Sequence, residues 1–532
     1  MKPHNFWNDK QTQIMSQPQV FKLILGFLAL IVTLHFIVSC DSKDVIHPPI
    51  DETTSENIEP DENTTNKEED KEEIDLEDPT YEISDFVWRG MNQYYYWQSD
   101  VAILDDIHLS NLLKYKQLIQ ENADPEDFFN QMIYKKGMLD GDRFSWFIPD
   151  YEEQEKRFSG IYKSHGMDFE IARYSENSNR LYGYVRVVHL NSNAKTQNVK
   201  RGMLFTHING QLLTPNNIST LFDSDTFELT FSEPIFDDAN RFFGFKSSET
   251  MIRLTKEKDF KENPILVHKV LEIPNHKIGY LYFHSFLGDQ RRLLELNNVF
   301  GQFQSEGINE LVVDLRYNRG GYSLWSDVMA TAISGKGAES VISKTFFNQK
   351  IQKELFNGKP QEEYFPQSIG ETPINKLNLE RVFFLTTNTD TASASEAVIN
   401  NLEPYMDVQI IGDYTVGKNE GSITILDYIE ENQINPRHKN GIQPLILKSG
   451  NSEGFINYET GLEPDFILKE TPFNLVEFGN MKEPLLNKAI EIISGVENKS
   501  RKIPLDARYL KYNLNHGQQN LLLYPYDVVS SN

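Results

Sequence analysis

The sequence predicts a multidomain α/β protein, on three observations. From about Lys277 to Glu470, near-continuous apolar strands alternate with helical segments, the pattern of a mainly parallel sheet covered by helices. Between about Gly160 and Pro234 the pattern changes to short alternating strands separated by glycines, which reads as a separate β unit. Ahead of both, aromatic and apolar residues recur at helical spacing from Tyr81. A chain of 532 residues, 39% apolar and 12% aromatic, has enough core-forming material for two or three such units.

The first segment, 1–40, is a leader. Lys22 precedes LILGFLALIVTLHFIVSC, a basic flank and an apolar run of secretory-signal length that ends beside Cys40, the chain's single cysteine. Ile37, Val38, Ser39 and Cys40 resemble the lipobox of a bacterial lipoprotein signal, which implies cleavage after Ser39 and lipid on Cys40. A single transmembrane anchor is the rival reading, since Leu23 to Val38 is short but extensible by its flanks. Either way the bulk of the chain is expected outside the cytoplasm. Translation can start at Met1 or at Met15, because the signal does not need the first residues. Segment 41–80 reads as a solvated tether: Asp41 to Asp78 holds 16 acidic and 3 basic residues, half of the formal net charge of −26.

A helical domain is expected over 81–150, carried by ISDFVWRGMNQYYYWQSD and PEDFFNQMIY. The β unit, 151–240, offers strands in GMDFEIARY, GYVRVVHL and FELTF and a short helix near Asn216 to Phe222. The α/β section, 241–475, runs KIGYLYFHSF, RRLLELNNVFGQF, ELVVDLRYN, LWSDVMATAIS, RVFFLTTN, SEAVINNL and VQIIGD. Segment 476–532 adds one helical patch, EPLLNKAIEII, and a polar tail.

In a sheet of this kind, chemistry collects at the C-terminal ends of strands. Three motifs stand there: DLRYNRGG (Asp314 to Gly321), TASASE (Thr391 to Glu396) and TVGK (Thr415 to Lys418). In this order they resemble the C-terminal processing, or tail-specific, serine protease family, over roughly Tyr81 to Glu470. That resemblance implies a crotonase-like α/β catalytic core with an inserted PDZ-like domain. It also implies Ser393 as nucleophile and Lys418 as its base, 25 positions later. Arg201-Gly202-Met203 and the turn Asn209-Gly210 are similar to the glycine-led strand and turn of a PDZ domain. Gly166, Met167, Asp168 and Phe169 then fall where that family binds a peptide's C-terminal carboxylate, although Asp168 departs from the small residue usual there.

The chemistry is consistent with those assignments. A serine hydroxyl needs a base within hydrogen-bond reach, and lysine serves only when neutral, which requires its pKa to fall from about 10.4 to roughly 7 or 8. Burial between Val416 and the Ile423 to Ile425 strand can supply that shift. Ser393 lies where a strand ends and a helix starts, so the Ala394 amide can face a developing oxyanion, with Gly320 or Gly321 supplying a second donor. Each residue also has a plainer reading. Ser393 and Glu396 form an S-x-x-E capping box, the glycine pair is a strand-to-helix turn, and Lys418 is a loop lysine. The glutamine that the family carries shortly after the lysine is missing, because Asn419, Glu420, Gly421 and Ser422 follow. Glu420 would raise the pKa of Lys418 if it lay alongside.

Other function classes fit poorly. The strong negative charge disfavours nucleic acid. Gly412 to Lys418 mimics a phosphate loop, but Asn419 follows the lysine and the next residues alternate like a strand rather than opening a helix. No HExxH motif occurs, and the histidines are not clustered in the sequence, so neither metal nor cofactor is expected. Expected partners are protein or peptide substrates, recognised by their C-termini, and a membrane through the lipid anchor, in a bacterial cell envelope facing the periplasm or the exterior. The alternative is a non-catalytic protein of the same fold that binds peptide tails or an apolar ligand.

Overall fold

The computed structural model describes residues 78–496 and 510–511, apart from 240, 247–249 and 431. The leader, Cys40 and nearly all of the acidic tether lie outside the described residues. No helix among those described is long and apolar enough to cross a membrane.

Ordered structure opens with α1 (Pro79–Tyr94), where the Asp78 carboxylate accepts from Thr80 N–H at 2.8 Å and proline takes the first helical position. Its apolar face, with Phe86, Trp88 and Met91 buried, packs on α2 (Leu112–Glu121) and α3 (Pro125–Gln131). The short strand β1 (Trp146–Ile148) follows. Next come β2 (Met167–Arg173), β3 (Leu181–Val188), β4 (Leu204–Ile208), β5 (Thr226–Phe231) and β6 (Thr250–Thr255). They pair antiparallel in the order β6-β5-β4-β3-β2 around a core that includes Phe169, Phe205, Phe227 and Leu229. This unit runs past the limit at 240 that the sequence suggests. β6 pairs along β5, and Glu257–Lys261 pairs with Ile161–Ser164, partners that local patterning does not reveal.

The largest unit is a six-stranded sheet. It contains β7 (Ile265–Ile273), β8 (His276–Phe283), β9 (Glu310–Asp314), β10 (Arg381–Thr386), β11 (Asp407–Gly412) and, beyond β12 (Gly441–Gln443), β13 (Phe466–Ile467). The order is β7-β8-β9-β10-β11-β13, parallel except for the β7/β8 hairpin. Alternate side chains leave a strand on opposite faces, so Leu311 and Val313 enter one core while Val312 enters another. The first core lies under α4 (Gln290–Glu306), α5 (Ser323–Ser334) and α6 (Ala394–Leu402), and the second under α7 (Pro484–Ser494). The result is a helix–sheet–helix sandwich of mixed α/β class, as the alternation of segments predicts. Within the C-terminal tail, β14 (Leu510–Lys511) returns to pair with β2, a long-range contact that its polar sequence does not announce.

β1 pairs with β12, and Ile442 and Leu445 join the core of the N-terminal helices, so that unit is fastened to the α/β section. Below the sheet, the fully buried Arg316 bonds Asp314 (Nε to Oδ1, 2.9 Å), Glu470 (2.7 Å) and Glu483 (2.7 Å). Removing the cation strands three carboxylates in low dielectric. Arg316→Met is therefore expected to lower the unfolding free energy by about 3–5 kcal/mol, measured as a shift of the denaturant midpoint at constant slope; a change below about 1 kcal/mol would show the cluster to be dispensable.

Candidate active site

Ser393 sits between β10 and α6 with φ 55° and ψ −114°, a left-handed conformation that an L side chain rarely adopts. Such strain costs about 1–3 kcal/mol and persists only where surrounding contacts over-determine it. Those contacts are visible. Asn318 O accepts from Ala392 N–H at 3.2 Å and from Ser395 Oγ–H at 2.9 Å, while the Thr391 hydroxyl donates to Leu315 O at 3.0 Å. Ser395 is fully buried and bonded, whereas Ser393 is half-buried, which distinguishes the two serines of TASASE.

Glu396 does more than cap the helix. Its Oε2 accepts from Ser393 N–H at 2.8 Å and from Lys418 N–H at 2.8 Å, while its Oε1 accepts from Gly417 N–H at 2.6 Å and from the Thr415 hydroxyl. The backbones of Ser393 and Lys418 thus meet on one carboxylate oxygen. Burial pushes the Glu396 carboxyl above the ordinary range, and the hydrogen bonds oppose that rise.

Lys418 is held in turn by the N-terminal unit. The Arg143 guanidinium bonds the Val416 carbonyl at 3.5 Å and the Gly417 carbonyl, and the Phe144 ring lies 5.1 Å from Lys418 Nζ. Buried Asp142 shapes that turn by accepting from Phe144 N–H (2.9 Å), Ser145 N–H (2.8 Å) and Tyr95 O–H (2.9 Å). Desolvation lowers the Lys418 pKa from the ordinary lysine value, against the pull of Glu420, Asp142 and Glu396. Glu420 therefore opposes the shift without reversing it. Burial pushes its own carboxyl up, and Lys448 Nζ sits 3.7 Å away. In the stretch after Lys418, where the family carries a glutamine, the Ser422 hydroxyl accepts from Gln443 Nε2–H at 3.0 Å. Sequence reasoning missed Arg143, Phe144 and Gln443, which come from distant segments and carry no motif.

The glycine pair packs against the serine turn. A Cβ on Gly320 (φ 97°) would lie 2.8 Å from Ser393 Cβ and 2.9 Å from Ala394 N, and one on Gly321 would lie 2.3 Å from Phe286 O. The Gly320 N–H is committed to Asn318 Oδ1 at 2.9 Å, so its part here is close approach rather than donation. Among the described residues, the amides of Gly321 and Ala394 have no acceptor.

The stretch from Gly166 to Phe169 is not an open carboxylate cradle. Gly166 N–H donates to Ser164 Oγ at 2.9 Å and Met167 N–H to His165 Nδ1 at 3.2 Å, while the Met167 and Phe169 side chains fill the β-unit core. Asp168 instead faces His189 and His284. The β unit reaches the serine turn by another route: Arg186 bonds Asp390 Oδ2 at 2.6 Å, and Arg319 bonds Asp390 Oδ1 at 2.6 Å.

Residues 277–444 match the family model for peptidase family S41, and residues 82–146 match the peptidase S41 N-terminal domain. The chain belongs to peptidase family S41. A provisional S41 protease from Bacteroides fragilis is similar in fold to this S41 chain, at TM-score 0.61 and 23% identity, covering 77% of this chain and 97% of its own. The photosystem II D1 C-terminal processing protease aligns at TM-score 0.43 and 16% identity, covering 74% and 94%. No curated protein sequence matches the chain. Family membership implies a serine-type peptidase acting on protein or peptide chains.

The strain at Ser393 gives a stability prediction for the S41 chain. Glycine relieves a positive φ that alanine must bear, so Ser393→Gly is expected to be more stable than Ser393→Ala by about 1 kcal/mol. Thermal unfolding of the two variants decides it, and the opposite order would mean the turn is unstrained.

Proposed function

We propose that this S41 peptidase is a serine endopeptidase of the C-terminal processing type, working through a dyad of Ser393 and Lys418. The observation that carries the reading is the shared Glu396 oxygen, which joins a strained, half-buried serine to a lysine whose pKa burial lowers. In this reading neutral Lys418 takes the Ser393 hydroxyl proton as the oxygen attacks the scissile carbonyl. The amides of Ala394 and Gly321 stabilise the oxyanion, Lys418 returns the proton to the leaving amine, and water then hydrolyses the acyl-enzyme. The α/β section serves as a crotonase-like core and the β unit as a PDZ-like domain, read from the strand order and from the ordered motifs.

With an unfolded protein as substrate, Ser393→Ala should abolish cleavage and Ser395→Ala should retain it. Only deprotonated Lys418 works, so the rate should rise with pH through an apparent pKa below that of free lysine. Lys418→Arg, which stays protonated, should be nearly inactive. Full activity of Lys418→Arg would assign the base to another group, and equal inactivity toward every substrate tried in the wild type would favour a binding protein.

The same proposal places the enzyme in a bacterial cell envelope, lipid-anchored at Cys40 and held off the membrane by the acidic tether, since the leader has a lipobox-like end. Cys40→Ala should release the chain from membranes or block its processing. The mass of the mature N-terminal peptide provides the check: an unmodified Cys40 in a membrane-bound chain would point to a transmembrane anchor.

A further inference from the structure

Asp168, His189 and His284 lie far apart in sequence, on β2, just after β3 and just after β8, yet their ligand atoms fall within 4.8 Å of one another. His189 Nε2 is 3.3 Å from both Asp168 carboxylate oxygens, and His284 Nε2 is 3.2 Å from Oδ2. The two imidazoles stand edge to face, with centroids 4.7 Å apart. These separations are long for charge-assisted hydrogen bonds, which run about 2.7–2.9 Å. They match the edge of a ligand tetrahedron, about 3.3 Å, when each donor sits roughly 2.0–2.1 Å from a central zinc ion.

The surroundings fit the same chemistry. Tyr282 Oη is 3.0 Å from His284 Nδ1, so the second nitrogen of that ring has an orienting partner while Nε2 faces Asp168. The neighbouring acid Glu262 is already engaged by the hydroxyls of Tyr162 and Ser285. His189 is 1% exposed and Asp168 is 29% exposed, so the cluster has a buried wall and an open side. Such an opening suits a water as fourth ligand.

We propose that Asp168, His189 and His284 form a binding site for a divalent transition-metal ion, zinc in the first instance, that fastens the β unit to the α/β section. Two imidazoles and one carboxylate suit zinc and its first-row neighbours rather than calcium or magnesium, which prefer all-oxygen shells. The site is separate from Ser393 and Lys418, but His284 lies two residues before Phe286, whose backbone bonds the Gly320 carbonyl and the Tyr322 amide around the glycine pair. A bound ion would therefore tie the β unit to the strand end that supports that turn. The proposal does not depend on the Ser393–Lys418 dyad.

The test is titration of chelator-stripped full-length protein with Zn²⁺ by calorimetry, paralleled by the visible spectrum with Co²⁺. One ion per chain is expected, with a four- or five-coordinate Co²⁺ band and a raised thermal midpoint. Tyr282→Phe, which removes only the orienting hydroxyl, should weaken binding about 10–100-fold. His284→Gln and Asp168→Asn, checked for fold by circular dichroism, should weaken it further. Absence of a stoichiometric site in the wild type would overturn the proposal. So would a site that persists unchanged in Tyr282→Phe and in whichever ligand variants fold.

Discussion

The arrangement around Ser393 depends on the Glu396 carboxylate. One fully buried acid accepts four hydrogen bonds from three places: the start of its own helix, the Thr415 side chain and the amides of Gly417 and Lys418. An unpaired carboxylate at this depth would be costly, and the loop that closes over it supplies the donors that offset the cost. Closure brings the backbone amides of Lys418 and Ser393 to one oxygen. The same donors oppose the rise that burial imposes on this carboxyl, and Glu396 is one of the groups whose pull on Lys418 desolvation outweighs.

Around that centre, each unit of the chain contributes a cation. Arg143 comes from the turn after the N-terminal helices and holds the carbonyls of the lysine loop. Arg186 reaches from β3 to Asp390, three residues before Ser393, and shares it with Arg319 of the glycine loop. Arg201 bonds the Arg186 carbonyl and the Tyr317 hydroxyl at 2.7 and 2.9 Å, and also Glu470, joining the β unit to the floor beneath the sheet. Guanidinium groups suit this work because they present several donors in a fixed plane and remain charged when buried. A shift of the β unit would therefore be felt at Asp390 through a direct ion pair.

Strain and close approach set the remaining geometry. The left-handed Ser393 and the two glycines beside it occupy a space in which one extra carbon on Gly320 would touch the serine turn. The turn packs tightly against the glycine pair, and the Ala394 amide lies at the free end of α6, where the helix dipole is positive.

The sequence by itself determined the layers, because periodicity and apolar runs report which faces must be buried. The strands β8 to β11 and the helices α4 to α7 lie where those patterns put them, whereas β7 and β13 carry no such mark. It also determined the order of the three motifs, since each is a short run of adjacent residues. Tertiary structure alone decided what Glu396 bonds, that Arg143 and Phe144 flank Lys418, that Gly320 spends its amide on Asn318, and that the β unit extends to Lys261. It also decided that the Gly166 and Met167 amides are spent on Ser164 and His165, and that Asp168 meets His189 and His284, whose distance in sequence had argued against any histidine cluster. The physical reason is common to all of these. A local pattern encodes which side of an element faces the core, whereas a buried hydrogen bond or ion pair between distant segments exists only once packing has chosen which groups lose their water together.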